Sequence, residues 1–358
     1  MSASRVPSAE GSQAACSDGY VAWVVMQITT LRVSNSQAFG SELTEIVLSN
    51  VTYVLGPNGA GKTAVLAALS RLFSPLSGQR KIQLSDFHIP KDRSAADVHL
   101  GEPELWIEVD IEFPEAGEDG QHASVPANFA HMRIDTEGSV PRVRVRLTAV
   151  LAPDGVIDEK IQYVLAADDD GKPTSTVDMN RFDRGSIEVH YLPARRDPAD
   201  HISCTAASLI GRTLRAADWT AEKEKLKGLS EQVTDALGAN AAVASLGAQL
   251  TAQWGGLHTG DYFKDPSHAF GRGDLEGVLR QLTVSFTPSP DDVALPFERL
   301  SDGQKSLLYI SLVLAWQALS RKVLRREEAS LDEHRLRPPV HTVIALEEPI
   351  EMSMSPRT

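Results

Sequence analysis

The chain is poor in cysteine: Cys16 and Cys204 are the only two in 358 residues. Two thiols build neither a disulfide framework nor a zinc site between them, which fits a reducing compartment. The longest apolar stretches are broken by charged or polar residues before they reach membrane-spanning length, so no transmembrane helix and no membrane partner are expected. Residues 1–23 are rich in Ser, Ala and Gly and have no apolar h-region. They read as a disordered tail rather than a secretory signal, and the chain reads as cytoplasmic. There is no internal repeat, no His/Cys/Asp/Glu cluster at metal-ligand spacing, and no Ser/His/Asp or Cys/His nucleophile arrangement. Positive charge is also short, with a formal net charge of −13. That excludes a general polyanion binder, and any DNA contact has to come from a local basic patch. With 42% hydrophobic and 23% charged residues the composition is that of a globular chain, long enough for one large core with a sizeable insertion.

What is present begins as strands. Met26–Val33, Glu45–Leu48 and Val51–Leu55 read as extended segments, the last running into a glycine loop. Beyond the loop, Val65, Leu66, Leu69 and Leu72 recur at the spacing of a helix packed on a sheet, until Pro75 and Gly78 stop it. From Glu104 to about Val164 the pattern changes to period two, in Leu105–Phe113, Arg142–Leu147 and Ile161–Leu165, which predicts an antiparallel meander. Ser186–Leu192 is a further strand. Residues 205–257 are helical, with Leu226, Leu229, Val233 and Leu237 on one face, and 261–272 form a loop before a strand over Leu279–Phe286.

Three motifs carry chemistry. Gly56-Pro57-Asn58-Gly59-Ala60-Gly61-Lys62-Thr63 matches the pattern G-x-x-x-x-G-K-[ST] in full. Its glycines let backbone N–H groups turn towards phosphate oxygens, the following helix adds its dipole, Lys62 reaches the β- and γ-phosphates, and Thr63 ligates Mg²⁺. Leu300-Ser301-Asp302-Gly303-Gln304-Lys305-Ser306 starts a second helix with a capping box. Beside a P-loop, Ser301, Gly303 and Gln304 read as a second phosphate-binding surface. His341–Leu346 is an apolar strand ending in Glu347-Glu348-Pro349. Glu347 is placed on the Mg²⁺ side and Glu348 as the base that polarises water. The residues Arg142, Arg144 and Arg146 read as the solvated face of a sheet more readily than as a DNA contact. Arg195-Arg196 is a better DNA candidate, and Asp168-Asp169-Asp170 reads as a hairpin turn rather than a metal site. No Asn-Lys-x-Asp base-recognition motif is present, which argues against a GTPase.

In this order the motifs resemble the SMC/Rad50/RecF branch of ABC ATPases, and more narrowly the ATPase domain of the OLD-family ATP-dependent endonucleases. The residues that carry the resemblance are Met26–Val33 with Phe39, Gly56–Thr63, Ser85-Asp86-Phe87, Leu300–Ser306 and Leu346-Glu347-Glu348-Pro349. The resemblance implies ATP and Mg²⁺ as cofactors and a homodimer in which Leu300–Gln304 of one subunit closes over nucleotide held by the other. It implies a role in DNA repair or phage defence, and leaves Asp86 and Gln83 as candidates for the Q-loop position. After Pro349 the sequence departs from the family: neither the switch-histidine segment nor the C-terminal TOPRIM nuclease domain follows. No nuclease activity is therefore expected of this chain alone. A partner chain would supply the TOPRIM domain and the strand that the family fold inserts between the P-loop strand and the Glu347–Glu348 strand. The alternatives are an ATP-binding subunit that does not hydrolyse, or a truncated fragment.

The expected fold class is α/β, a P-loop ABC-type ATPase lobe with an antiparallel β subdomain and a helical insertion, lacking the C-terminal part of the lobe. The expected ATPase domain spans 24–350. It divides into a P-loop and β-rich half (24–204), a helical insertion (205–278) and a signature and acidic-strand half (279–350), with an aberrant tail at 351–358.

Overall fold

A computed structural model describes residues 26–90, 103–116, 125–134, 139–168, 171–193, 208–257, 266, 275–279, 282, 284–287 and 295–347. The N-terminal tail, Arg195-Arg196, Asp169-Asp170, most of the 261–272 loop, Glu348 and the C-terminal tail lie outside the described residues.

The meander is a six-stranded antiparallel sheet in the order β2-β1-β3-β4-β5-β6. Its strands are β1 (Gln27–Ser34), β2 (Thr44–Val47), β3 (Glu104–Glu112), β4 (Arg142–Leu151), β5 (Ile157–Ala167) and β6 (Pro173–Asp178). Period two sorts each strand onto two faces. Leu105, Ile107, Val109 and Ile111 of β3 and Val143, Val145, Leu147 and Ala149 of β4 are buried in the main core. Helix α1 (Lys62–Phe73) adds Val65, Leu69, Leu72 and Phe73 to the same core, as its spacing predicts. The Asp168 turn is the β5–β6 hairpin: its carboxylate accepts the Lys172 N–H at 2.7 Å.

The other face of this sheet is charged and largely closed to water. Arg144 donates to Asp110 at 2.7 and 3.1 Å, Arg32 donates to Asp110 at 2.8 Å, and Arg146 donates to Glu108 at 2.6 Å while its guanidinium lies 4.2 Å from the Trp106 ring. Arg144 and Arg146 are therefore neither a solvated face nor cations available to DNA. Alternate positions on β4 stand opposite alternate acids on β3, a register that sequence inspection of β4 alone does not reveal.

A second, parallel sheet pairs β7 (Ile187–Leu192) with β10 (His341–Leu346) along their whole length. It lies between two apolar clusters. Ile187, Val189 and Ala345 belong to the main core. Leu192 belongs to a smaller one with Leu209 and Ala216 of α2 (Leu209–Ala216) and Tyr309, Val313, Trp316 and Val323 of α5 (Asp302–Leu324). Between these, α3 (Lys223–Gly238) and α4 (Ala241–Leu257) form a helical arm.

Several expectations are corrected. Val51–Leu55 forms no ladder; Val51, Tyr53 and Leu55 are 67%, 81% and 89% exposed. A strand persists only by pairing, and no described segment lies alongside to pair with it. Among the described residues of Leu279–Phe286, Leu279 ends a helical turn over Leu275–Leu279, and Ser285–Phe286 (β8) alone pairs, with Leu295–Pro296 (β9). The apolar face of α3 is amphipathic as predicted, but Leu229, Val233 and Leu237 stay exposed. Helix α5 is long and apolar enough to cross a membrane by length and composition, with a mean hydropathy of 1.3. In the fold it starts at the Ser301 cap and seats Tyr309, Val313 and Trp316 in the second cluster.

His341 opens β10, and burial pulls its imidazole down from 6.5 to about 4. The folded value lies below the unfolded one, so neutral His341 contributes stability above pH ~6.5 that is lost as the pH falls towards ~4, up to ~3 kcal/mol. The melting temperature should fall between pH 6.5 and 4 more steeply for the wild type than for His341→Gln. Equal slopes would contradict this origin.

Candidate nucleotide site

The glycine loop is shaped by residues that only glycine suits. Gly59 and Gly61 have φ of 81° and 90°, where a side chain is strained. A Cβ on Gly61 would also stand 3.1 Å from the ring of Phe39. Gly61 is the N-cap of α1, so the turn opens directly onto the positive end of that helix. Lys62 Nζ donates to the carbonyls of Gly56 at 2.8 Å and Pro57 at 2.9 Å. The ammonium is thereby folded over its own loop, where an incoming phosphate can exchange for two neutral acceptors.

The third motif meets the first. Thr63 Oγ1 donates to Glu347 Oε1, and Tyr191 Oη donates to Glu347 Oε2 at 2.9 Å. The Glu347 N–H continues the parallel ladder to the Leu192 carbonyl at 3.1 Å, fixing the carboxylate at the C-terminal end of β10. A hydroxyl and a carboxylate converging beside a glycine loop fit a hard divalent cation with oxygen ligands. Burial, then the hydrogen bond to Glu347 and its charge, raise the Tyr191 phenol, so it stays a donor. Sequence reading missed Tyr191. In the sequence that segment carries only a strand pattern, and the contact arises because β7 and β10 pair in register.

The signature turn forms as its capping box predicts. Ser301 Oγ accepts from the Gln304 N–H at 3.4 Å, and Gln304 Oε1 accepts from the Ser301 N–H at 3.0 Å. Ser301 and Gln304 are exposed, and among the described residues neither bonds to the glycine loop. The structure thus brings Thr63 against Glu347, keeps Lys62 on the carbonyls of its own loop, and leaves Ser301 and Gln304 exposed with Gly303 half-buried between them. Asp86 is not a free Q-loop group: it is 2% exposed and accepts from Arg71 at 3.1 Å, Gln37 at 2.9 Å and the Gln83 N–H at 2.7 Å. A carboxylate with that many donors is structural, and Gln83 serves as the N-cap of the same turn.

A second group absent from the sequence reading lies behind β7. Glu188 and His190 alternate with Ile187 and Val189, so they face the smaller cluster. His190 Nε2 is 3.2 Å from Glu188 Oε2, and Nδ1 is 3.0 Å from Tyr309 Oη. Arg212 donates to Glu188 Oε1 at 2.6 Å and lies 4.4 Å from the Trp316 ring. Burial alone would push the Glu188 carboxyl up; the bonds and charge of His190 and Arg212 outweigh it and hold the group below its ordinary value. The available signal was an acid and a histidine at alternate positions of an otherwise apolar strand, Ile-Glu-Val-His-Tyr-Leu.

A glycine loop on a helix N-terminus, with a threonine hydroxyl and a strand-end carboxylate beside it, defines the chain as a P-loop ATPase domain of mixed α/β fold. The chain belongs to the family described as "AAA domain, putative AbiEii toxin, Type IV TA system", which matches residues 51–356. It is 25% identical over 283 residues to the OLD nuclease of Thermus scotoductus, covering 78% of this chain and 48% of that protein. The chain thus spans about half the length of this curated relative. The Smc head domain of Pyrococcus furiosus, solved with an extended coiled coil and bound to the C-terminal domain of ScpA, aligns over 90% of each chain at 12% identity with a TM-score of 0.38.

Proposed function

We propose that this protein binds MgATP at Gly56–Thr63 and hydrolyses it as a nucleotide-sandwich dimer, the cytoplasmic ATPase module of an OLD-like DNA nuclease or DNA-processing and defence system. The observation that carries the reading is the contact of Thr63 with Glu347, which joins residues far apart in sequence into one magnesium-side pair. Thr63 and Glu347 would hold Mg²⁺, which when bound supplies charge neutralisation at the phosphates. Gly59 and Gly61 leave the loop backbone clear for the phosphates, and Lys62 moves from the Gly56 and Pro57 carbonyls to the β- and γ-oxygens. Tyr191 keeps Glu347 oriented. Glu348 takes the proton of the attacking water, and Ser301, Gly303 and Gln304 of the second subunit complete the site. A TOPRIM-bearing polypeptide is the proposed nuclease partner, and DNA the proposed substrate of that assembly.

The test is MgATP binding and steady-state hydrolysis by the wild type and Glu348→Gln. Removal of a general base lowers turnover by about 10²–10⁴-fold while binding is kept. Wild-type binding without turnover above the Glu348→Gln rate would reduce the protein to an ATP-binding subunit, and no binding at all would refute the reading.

A further inference from the structure

The buried Glu188–His190–Tyr309 chain joins the signature helix to the strand beside Glu347. Among the buried residues of α5, Tyr309, Val313 and Trp316 recur at i, i+4 and i+7 and form the face seated on the second cluster. That face also buries the small Ser306 and Ser320, and its contacts beyond α5 include Tyr309 meeting His190 and Arg212 lying against Trp316. His190 Nε2 stands 3.2 Å from Glu188 Oε2 and its Nδ1 3.0 Å from the Tyr309 hydroxyl, so the imidazole bridges the carboxylate and the phenol. Burial raises the Tyr309 phenol and keeps it a donor. The bridge depends on the position of the Tyr309 hydroxyl, and a shift of α5 by one residue breaks it. Apolar contacts alone tolerate such slippage at little cost, whereas a buried polar network selects one arrangement.

The neighbouring residue on β7 points the other way. His190 faces α5, while Tyr191 reaches Glu347. Two consecutive positions of one strand therefore hold the signature helix on one side and the magnesium-side carboxylate on the other. Arg212 extends the tie, donating to the Arg337 carbonyl at 3.4 Å on the approach to β10.

We propose that His190 and Tyr309 are positioning residues: with Glu188 and Arg212 they fix α5, and hence the signature turn at Ser301–Gln304, relative to Glu347, so that the two half-sites this chain contributes move as one body. The purpose of this joint rests on the nucleotide-site reading, but its existence does not.

Amide hydrogen exchange in the nucleotide-free full chain tests it with Tyr309→Phe, which deletes one hydroxyl, and His190→Leu. Two reporter amides are Lys305, bonded to the Ser301 carbonyl, and Glu347, bonded to the Leu192 carbonyl. Both should exchange about tenfold faster in either variant, while Val65 of α1 is unchanged. Acceleration confined to α5, or no change at either reporter, overturns the joint. So does equal acceleration at Val65, which marks a plain loss of stability. In a protein that turns over ATP, Tyr309→Phe should also lower kcat about tenfold at unchanged Kd for MgATP. Failure of the wild type to bind MgATP refutes the nucleotide reading, while the exchange result still decides whether the joint exists. Should one variant fail to fold, the other carries the same readouts.

Discussion

Lys62→Ala should weaken MgATP binding by about 100-fold, a loss of ~2.7 kcal/mol, in calorimetric titration of the full chain. The lysine brings the one mobile positive charge of the loop to the phosphates, and alanine leaves those oxygens with backbone N–H groups and the helix dipole alone. Part of the gain in the wild type is offset by the bonds Lys62 gives up to Gly56 and Pro57. Those bonds are exposed, so the melting temperature of Lys62→Ala should stay within about 2 °C of the wild type. Binding within threefold of the wild type would remove the phosphate role from this loop. A parallel collapse of stability would show that the lysine is structural.

The second large effect lies outside the site. Asp110 is 2% exposed and holds the guanidiniums of Arg32 and Arg144. Burial would raise its carboxyl, but the hydrogen bonds and charges of Arg144 and Arg32 outweigh that and hold it below its ordinary value. Stability from this group is therefore present above the ordinary carboxylate range and is lost as the pH falls through the depressed value. Asp110→Ala removes the carboxylate that both cations share, leaving Arg32 to Glu45 and Glu108 and Arg144 to a longer contact with Glu108, and should cost ~3 kcal/mol, seen as a drop of about 6–10 °C in melting temperature. Adding Arg144→Met should recover part of the loss, because it removes one of the two cations left sharing Glu108. A single-variant loss under about 0.5 kcal/mol, or strict additivity in the double variant, would contradict the ion-pair ladder.

The arginine stripe shows where one-dimensional reading stops. Arg142, Arg144 and Arg146 alternate with apolar residues, and that period is legible. Glu108 and Asp110 alternate on a distant segment in the same way, but only strand register brings one set opposite the other. The glycine loop is the opposite case. Its conformation depends on neighbours in sequence, on two positive φ angles and on a helix that begins at once, so local chemistry suffices to define it. The signature cap is local too, a serine and a glutamine three residues apart. The reading of Val51–Leu55 as a strand failed for a non-local reason: β-branched and aromatic residues favour strands only where a partner supplies the other half of each hydrogen bond, and among the described residues none does.

The amino-acid sequence by itself determined the three motifs, the meander of strands and the helical character of 205–257, because each is written in residues a few positions apart. Only the tertiary structure decided that Thr63 meets Glu347, that Tyr191 holds the same carboxylate, and that a buried histidine ties the signature helix to that strand. Those contacts join segments separated by one hundred residues or more, and their partners are set by the parallel pairing of β7 with β10 and by the seating of α5 on its apolar face.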